Sequence, residues 1–290
     1  MSWQRWREHL IEFSIRACGI STIAIVILIF FFLLKEGSGL FQTVRLAEFL
    51  GGDRWYPISD PPRFGILPLI FGSWVVTFGA VLLSVPVGIA SALFVSEIAK
   101  DWAKDVLKTG IELLAAIPSV VLGFIGITVL APAIKQLFGL PTGLTALTGS
   151  ITLAFMAMPT IVSITEDALA AVPRGYREAA LALGATRWQM MGRVLLPAAS
   201  PGILAAVMLG IGRVIGETMA VMMVTGNAAV IPHSLLQPVR TMTATIAAEM
   251  GETVRGSDHY AALFAIGIVL FVLSFVINML ADFFLHRDER

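Results

Sequence analysis

Residues 173–227 read PRGYREAALALGATRWQMMGRVLLPAASPGILAAVMLGIGRVIGETMAVMMVTGN. Two things are joined there without a break. The first half is polar, Arg-bearing and punctuated like a helical hairpin. Pro173 suits a first helical position, where its missing N–H would be unpaired in any case. Gly184 stands where a left-handed residue would stop the helix, and Thr186 followed by Gln189 fits a capping box that restarts it. Pro197 and Pro201 mark the turn out of the hairpin. The second half, about 201–224, is apolar and long enough to cross a bilayer, yet it carries Arg213 and Glu217 near its middle. A polar hairpin feeding straight into a charged membrane span decides how the rest is read.

Composition extends that reading to the whole chain. With 57% hydrophobic and 14% charged residues and a mean hydropathy of +0.85, the chain lies outside the soluble norm and reads as an integral membrane protein. Zero formal net charge gives no case for a nucleic-acid partner. One cysteine, Cys18, rules out an internal disulfide. No G-x-x-x-x-G-K-[ST] run occurs, so ATP hydrolysis would have to come from a partner. No Ser, His and acidic grouping suggests a catalytic centre, and His233 and His259 lack metal-ligand spacing.

Taken in order, residues 1–16 place Trp3, Trp6, Leu10 and Phe13 on one stripe, with Arg5, Arg7, Glu8 and Glu12 off it. That pattern predicts a helix on the cytoplasmic membrane surface. The apolar run that follows is span-length, and Lys35-Glu36-Gly37 offers no small-residue cleavage site, so it reads as a retained span and not a secretory signal. The expected fold is all-α with six transmembrane helices, at about 17–34, 72–95, 111–130, 146–164, 201–224 and 259–285. The hairpin at 173–197 lies between the fourth and fifth, and the whole of 17–290 forms one permease domain. Loops are expected at 40–69, 131–145 and 226–258, with a polar tail at 286–290. Pro86 and Gly88 are tolerable inside the second span where neighbours satisfy the freed backbone. Glu97/Lys100, Asp101/Lys104 and Asp105/Lys108 read as three-apart charge pairs on a solvated connector. Glu166, Asp167 and Asp282 read as solvated charges at span ends.

Six spans put both termini on one side. The segments on that side hold twelve Lys/Arg against seven in the longer opposite segments. The positive-inside rule then places the termini and the hairpin in the cytoplasm.

Arg213 lies roughly 18 Å into its span at 1.5 Å per residue. An Arg there costs about 2.5–3.5 kcal/mol on insertion scales, so something must offset it. Glu217 stands one turn on. Gly202, Ala206 and Gly210 make a small-residue face, and Gly212-x-x-x-Gly216 repeats the pattern, which permits close helix approach or leaves room for a solute. Two readings stand: a buried ion pair that sets packing, or a guanidinium that meets an oxyanion in transit, with Glu217 orienting it. Arg240, among Thr241, Thr243 and Thr245, reads either as an anion-gathering residue at an external mouth or as an ordinary loop Arg.

Glu178-Ala179-Ala180, three residues, Gly184, nine residues, then Val194-x-Leu196-Pro197 resembles the EAA signature of ABC importer permeases, with Val in place of Ile. Residues 212–223, GRVIGETMAVMM, resemble the corresponding segment of phosphate importer permeases, more narrowly the PstC type. Residues 238–246 with Glu249-Met250-Gly251, residues 117–121 and the run 166–178 are similar to the same family. The resemblance is weakest in the N-terminal third. It implies a type I importer fold in which Arg177, Glu178, Ala179, Ala180, Gly184, Thr186, Leu196 and Pro197 dock into a groove on an ATPase subunit. It implies a substrate path through Arg213, Glu217, Thr218 and Arg240. It also implies a heterodimer with a PstA-type permease, two PstB-type ATPase subunits using ATP-Mg, and a PstS-type extracytoplasmic phosphate-binding protein, all at the bacterial inner membrane. No cofactor is expected in this chain. The competing expectations are a permease for another oxyanion or small polar solute, and a transporter-associated signalling or scaffold component.

Overall fold

The structure, a computed structural model, describes residues 2–287; the side chains of 2–6, 8, 9, 280–282 and 284–287 lie outside that description, and with them Trp3, Trp6, Glu8 and Asp282. Helix α1 (Ser2–Gly37) is uninterrupted. The expected division into a surface helix and a first span is therefore not marked by any break. At 1.5 Å per residue its 36 residues reach about 54 Å, well beyond a hydrocarbon core of about 30 Å, so part of it must stand outside the apolar layer. It packs on α14 through Phe30 against Phe271 and Phe32 edge-on to Phe264, at ring-centroid distances of 5.0 and 5.5 Å.

The expected loop after α1 is a folded unit. A 3-10 turn (Ser38–Gln42), helix α2 (Leu46–Gly51) and an antiparallel pair β1 (Trp55–Tyr56) and β2 (Arg63–Phe64) enclose Leu40, Phe49, Trp55, Phe64 and Ile66. This small core continues into Leu69, Met242 and the first turns of α14.

Helix α3 (Leu67–Leu93) ends in a wide π turn (Phe94–Ile98) and is followed by α4 (Asp101–Ala116), none of whose residues is fully buried. Pro118 forces Ile117 into extended backbone (φ −67°, ψ 126°) and ends α4. The third span is therefore α5 (Ser119–Ile125), a π turn (Gly126–Leu130) and α6 (Ala131–Phe138), ending at Gly139 with φ 62°. This differs from the expected 111–130: the helices long and apolar enough to cross run over Ser119–Phe138, and 111–116 continues α4. Helix α7 (Ala146–Ala171) packs along α3 in parallel, with Gly149 against Val76, Gly79 against Ser150 and Gly88 against Ile161. Both carry an internal proline, Pro86 and Pro159.

The hairpin is α8 (Arg174–Ala182), α9 (Arg187–Met190), a π turn (Met191–Leu195) and α10 (Leu196–Ala198). Helix α11 (Ser200–Gly216) leaves it at 72°. The expected fifth span is broken: α11 stops at Gly216 and α12 (Met219–Val224) resumes after two non-helical residues. Helices α13 (Met242–Glu249) and α14 (Asp258–Arg287) complete the chain, so the expected 226–258 loop contains a helix.

Among the described residues five helices are long and apolar enough to cross a membrane, or six if the bent pair Arg187–Ala198 and Ser200–Gly216 counts as one. Apolar side chains such as Phe13, Ile20, Leu28, Phe78 and Phe275 are exposed, as a lipid-facing surface requires. The chain is a helical multi-pass membrane protein.

A Cβ on Gly143 would overlap the carbonyl of Ala131 and lie 3.0 Å from its Cα. Gly143→Ala is expected to destabilise the fold by about 1–3 kcal/mol, read as a lower Tm of the purified protein. An unchanged Tm would show that the turn before α7 can yield.

Candidate functional site

Arg213 occupies the last turn of α11, where a cation offsets the negative end of the helix. Its side chain is exposed and makes no hydrogen bond or ion pair among the described residues. The expected pair with Glu217 does not form, because the helix stops one residue before it. Glu217 adopts extended backbone (φ −71°, ψ 134°), and its Oε1 accepts a 3.2 Å hydrogen bond from the Ala220 N–H at the start of α12. Thr218 Oγ1 donates to the Gly216 carbonyl at 3.3 Å. Thr243 Oγ1, in the first turn of α13, donates to the Glu217 carbonyl at 2.9 Å. The break is thus held by polar groups from both sides of the gap, and the guanidinium is left unused.

The small-residue face divides in two. Gly202 and Gly210 lie against Ala168 and Ile161 of α7, and Ala206 and Val214 are buried. Gly212 and Gly216 have nothing within 4 Å of where a Cβ would stand. Close helix approach is therefore used up on α7, while Arg213 sits between two glycines on the open side.

Arg240 is engaged. Its Nη1 donates to Glu249 Oε1 at 2.5 Å, the same carboxylate accepts from Trp55 Nε1 at 3.1 and 3.2 Å, and Glu249 Oε2 lies 2.8 Å from His259 Nε2. Side-chain exposures of 21%, 16% and 16% for Arg240, Glu249 and His259 make this a largely enclosed cluster. It ties the β1–β2 unit to α13 and α14. Nothing in the spacing of Trp55, Glu249 and His259 could have announced it.

The hairpin follows its sequence punctuation closely. Gly184 has φ 83°, and Thr186 and Gln189 form both bonds of the capping box. Pro173 differs: it precedes the first helical residue, with ψ 139°. Glu178 and Ala179 are exposed, Ala180 is buried, Leu196 is half-buried and Pro197 exposed. One face is seated on the spans through Ala180, Met190, Met191 and Leu195, packed with Ala92, Val162 and Leu169. The other presents Leu183 at 89% and Trp188 at 74% exposure, with Tyr176 and Leu181 beside them. Large exposed apolar groups on an otherwise polar hairpin mark a contact surface.

Arg177 turns inward. Its guanidinium donates to the carbonyls of Leu169 and Val172, both at 2.8 Å, and to Glu97 Oε1 at 2.9 Å. Glu166, expected to be solvated, is buried and lies 3.3 and 3.4 Å from the Lys104 and Lys108 ammonium groups. The connector charges therefore pair across the fold, and the expected three-apart pairs along α4 are not its ion pairs.

The site thus combines a broken apolar span, an exposed guanidinium at the break and a hairpin that leaves large apolar groups exposed. Residues 84–287 match the family described as binding-protein-dependent transport system inner membrane component, and the chain belongs to that family. It is 45% identical to the probable ABC transporter permease protein YqgH of Bacillus subtilis (strain 168), over 95% of this chain and 90% of that one. It is 38% identical to the phosphate transport system permease protein PstC of Mesorhizobium japonicum, over 83% and 79%. In fold it is similar to a bacterial alginate ABC transporter chain (TM-score 0.67, 18% identity, 97% of each chain). It is also similar to a chain of the MetNI methionine ABC transporter (TM-score 0.58, 22% identity, 77% and 94%). The fold is that of type I ABC importer permeases, whose membrane component is separate from the ATPase.

Glu249→Ala is expected to release the β1–β2 unit. Losing about 1.4 kcal/mol of local closing free energy raises cleavage of the 51–66 segment about tenfold, measured by limited trypsin digestion at Arg54 and Arg63. Unchanged cleavage would show that the apolar core holds the unit without the carboxylate.

Proposed function

We propose that this chain is the translocating permease subunit of an ATP-driven phosphate importer, moving inorganic phosphate into the cytoplasm by alternating access. The observation that carries the reading is Arg213: a guanidinium in an apolar span with no partner among the described residues, exposed beside two glycines at a helix break. Ionisable groups within spans and discontinuous helices are hallmarks of solute paths. A guanidinium fork matches a tetrahedral oxyanion in a bidentate way. Similarity to a PstC protein points the same way.

In this mechanism Arg213 contacts the anion. Glu217 and Thr218 hold the break open beside it, and Glu217 places negative charge near enough to keep anion binding weak and reversible. Arg240 works through Glu249, fixing α13, whose Thr243 grips the Glu217 carbonyl. A PstA-type permease lies across the path as heterodimer partner, and a PstS-type extracytoplasmic protein delivers phosphate. Two PstB-type subunits use ATP-Mg and receive the hairpin through Glu178, Ala179, Gly184, Thr186, Leu183 and Trp188, with Ala180, Leu196 and Pro197 shaping its base. The excess of Lys/Arg on the hairpin side, twelve against seven with Lys135 at the far end of the third span counted among the seven, supports a cytoplasmic position for both termini and the hairpin.

Arg213→Gln tests the path. A charge-assisted bond contributes about 1.5–3 kcal/mol, so uptake of labelled phosphate should fall by about ten- to a hundredfold while the complex is recovered intact. Full uptake would overturn the role of Arg213, and loss of assembly would make it structural. Leu183→Asp tests docking: co-purification of the ATPase subunits should drop about tenfold with membrane insertion unchanged, since burying an unpaired carboxylate in a groove is strongly unfavourable.

A further inference from the structure

The hairpin is joined to the spans by charge as well as by packing. Arg177 stands in the first turns of α8, yet its side chain reaches back to two other elements. Its Nη1 and Nη2 donate to the Val172 and Leu169 carbonyls, at 2.8 Å each, at the end of α7. These are groups that a helix terminus leaves unpaired, and a cation is favoured there. The Nε and Nη2 of the same guanidinium donate to Glu97 at 3.2 and 2.9 Å, in the π turn that ends α3. One turn back along α7, Glu166 holds Lys104 and Lys108 of α4. The side chains of Arg177, Glu97 and Glu166 are 20%, 12% and 6% exposed, so water competes weakly for them.

We propose that Glu97, Arg177 and Glu166 are positioning residues of an ionic clamp that makes α8, the end of α3, the end of α7 and α4 move as one body. Displacement of the hairpin by the ATPase then passes into the spans without loss. The clamp rests on the coupling role proposed above for the hairpin. Geometry supports a clamp over a tether. A planar guanidinium bound on three sides resists rotation, whereas a single ion pair would let α8 swivel. Lys104 and Lys108 are one turn apart on α4 and straddle one carboxylate, which fixes that helix in register as well as in distance.

The test uses the full permease–ATPase complex carrying Cys18→Ser, with spin labels at two pairs of exposed positions. Leu183→Cys with Ile98→Cys spans the clamp, and Leu183→Cys with Leu137→Cys spans the whole membrane body. The first distance is expected to stay within about 2 Å, the size of a helix shift, between nucleotide-free and vanadate-trapped ATP states, while the second changes by more. Arg177→Gln should broaden the first distribution. It should also lower the ratio of solute-stimulated to basal ATP turnover about tenfold, a change that a merely structural role would not produce. Glu97→Gln, which leaves the two carbonyl bonds of Arg177 in place, should show the same change more weakly. A first distance that changes between states, or an Arg177→Gln complex with normal distribution and stimulation, would overturn the clamp. So would failure of both variants to assemble, which would make these residues a folding element. The nucleotide states do not depend on which solute is carried, so a wrong phosphate assignment leaves this result standing. If neither distance responds to ATP, the coupling role itself fails and the clamp with it.

Discussion

In an apolar layer every backbone N–H and C=O, and every charge, must find its partner within protein. The rest of this structure depends on how that constraint is met where helices stop. At the α11–α12 break, Glu217, Thr218 and the helix ends beside them would otherwise leave open carbonyls and N–H groups inside a span. Glu217 supplies an acceptor for Ala220, Thr243 takes the Glu217 carbonyl, and Asn227 Nδ2 donates to the Met222 carbonyl at the far end of α12. Short side chains from distant points of the chain thus permit a discontinuity that the apolar surroundings would not tolerate. Arg213 follows from the same arrangement. Its helix ends before Glu217 can pair with it, so the guanidinium is turned over to whatever lies outside the chain.

Elsewhere charge is used in enclosed, matched groups near the ends of spans. Glu249 gathers Arg240, His259 and the Trp55 N–H at one end. Glu97 with Arg177, and Glu166 with two lysines, gather at the other. Each group joins elements far apart in sequence. Apolar contacts in a membrane protein are weakly selective, because lipid is as good a neighbour as leucine. Polar groups at the ends therefore carry much of the specificity that a buried core supplies in a water-soluble fold.

That division explains what could be read from the chain. Local devices were legible because their partners are a few residues apart: the capping box at Thr186, the left-handed Gly184, and the apolar runs of α3, α7 and α14. Long-range devices were not. Glu97 and Arg177 are 80 residues apart, and a three-residue rule pairs Glu97 with Lys100 instead. The shift of the third span has a similar origin. Hydropathy runs on smoothly through residues 111–138, and what divides it is Pro118, whose effect on Ile117 is a matter of backbone geometry. The break after Gly216 also leaves no mark in hydropathy, since Met219–Val224 is as apolar as what precedes it. The folded unit at 38–66 looks like a loop in the sequence because its core residues, Phe49, Trp55 and Phe64, are few and find their burial against α14.

The packing of α11 bears on how motion could reach Arg213. Gly202 and Gly210 allow α11 to lie directly on Ala168 and Ile161, with no room for a methyl group between the helices. Helices packed this closely shift against one another by only about 1–2 Å. Helix α7, which carries Glu166 and the Leu169 carbonyl that Arg177 caps, is thus packed directly on α11 as far as Gly210, with Val214 buried one turn on. The backbone first departs from the helix at Glu217 and Thr218, held by hydrogen bonds that can exchange partners. Arg213 thus sits on the last turn of α11, immediately before the joint. Because Ala220 and Val221 of α12 share a core with Met156 and Ala157 of α7, the exchangeable part of this joint is Glu217 and Thr218 themselves, next to the guanidinium.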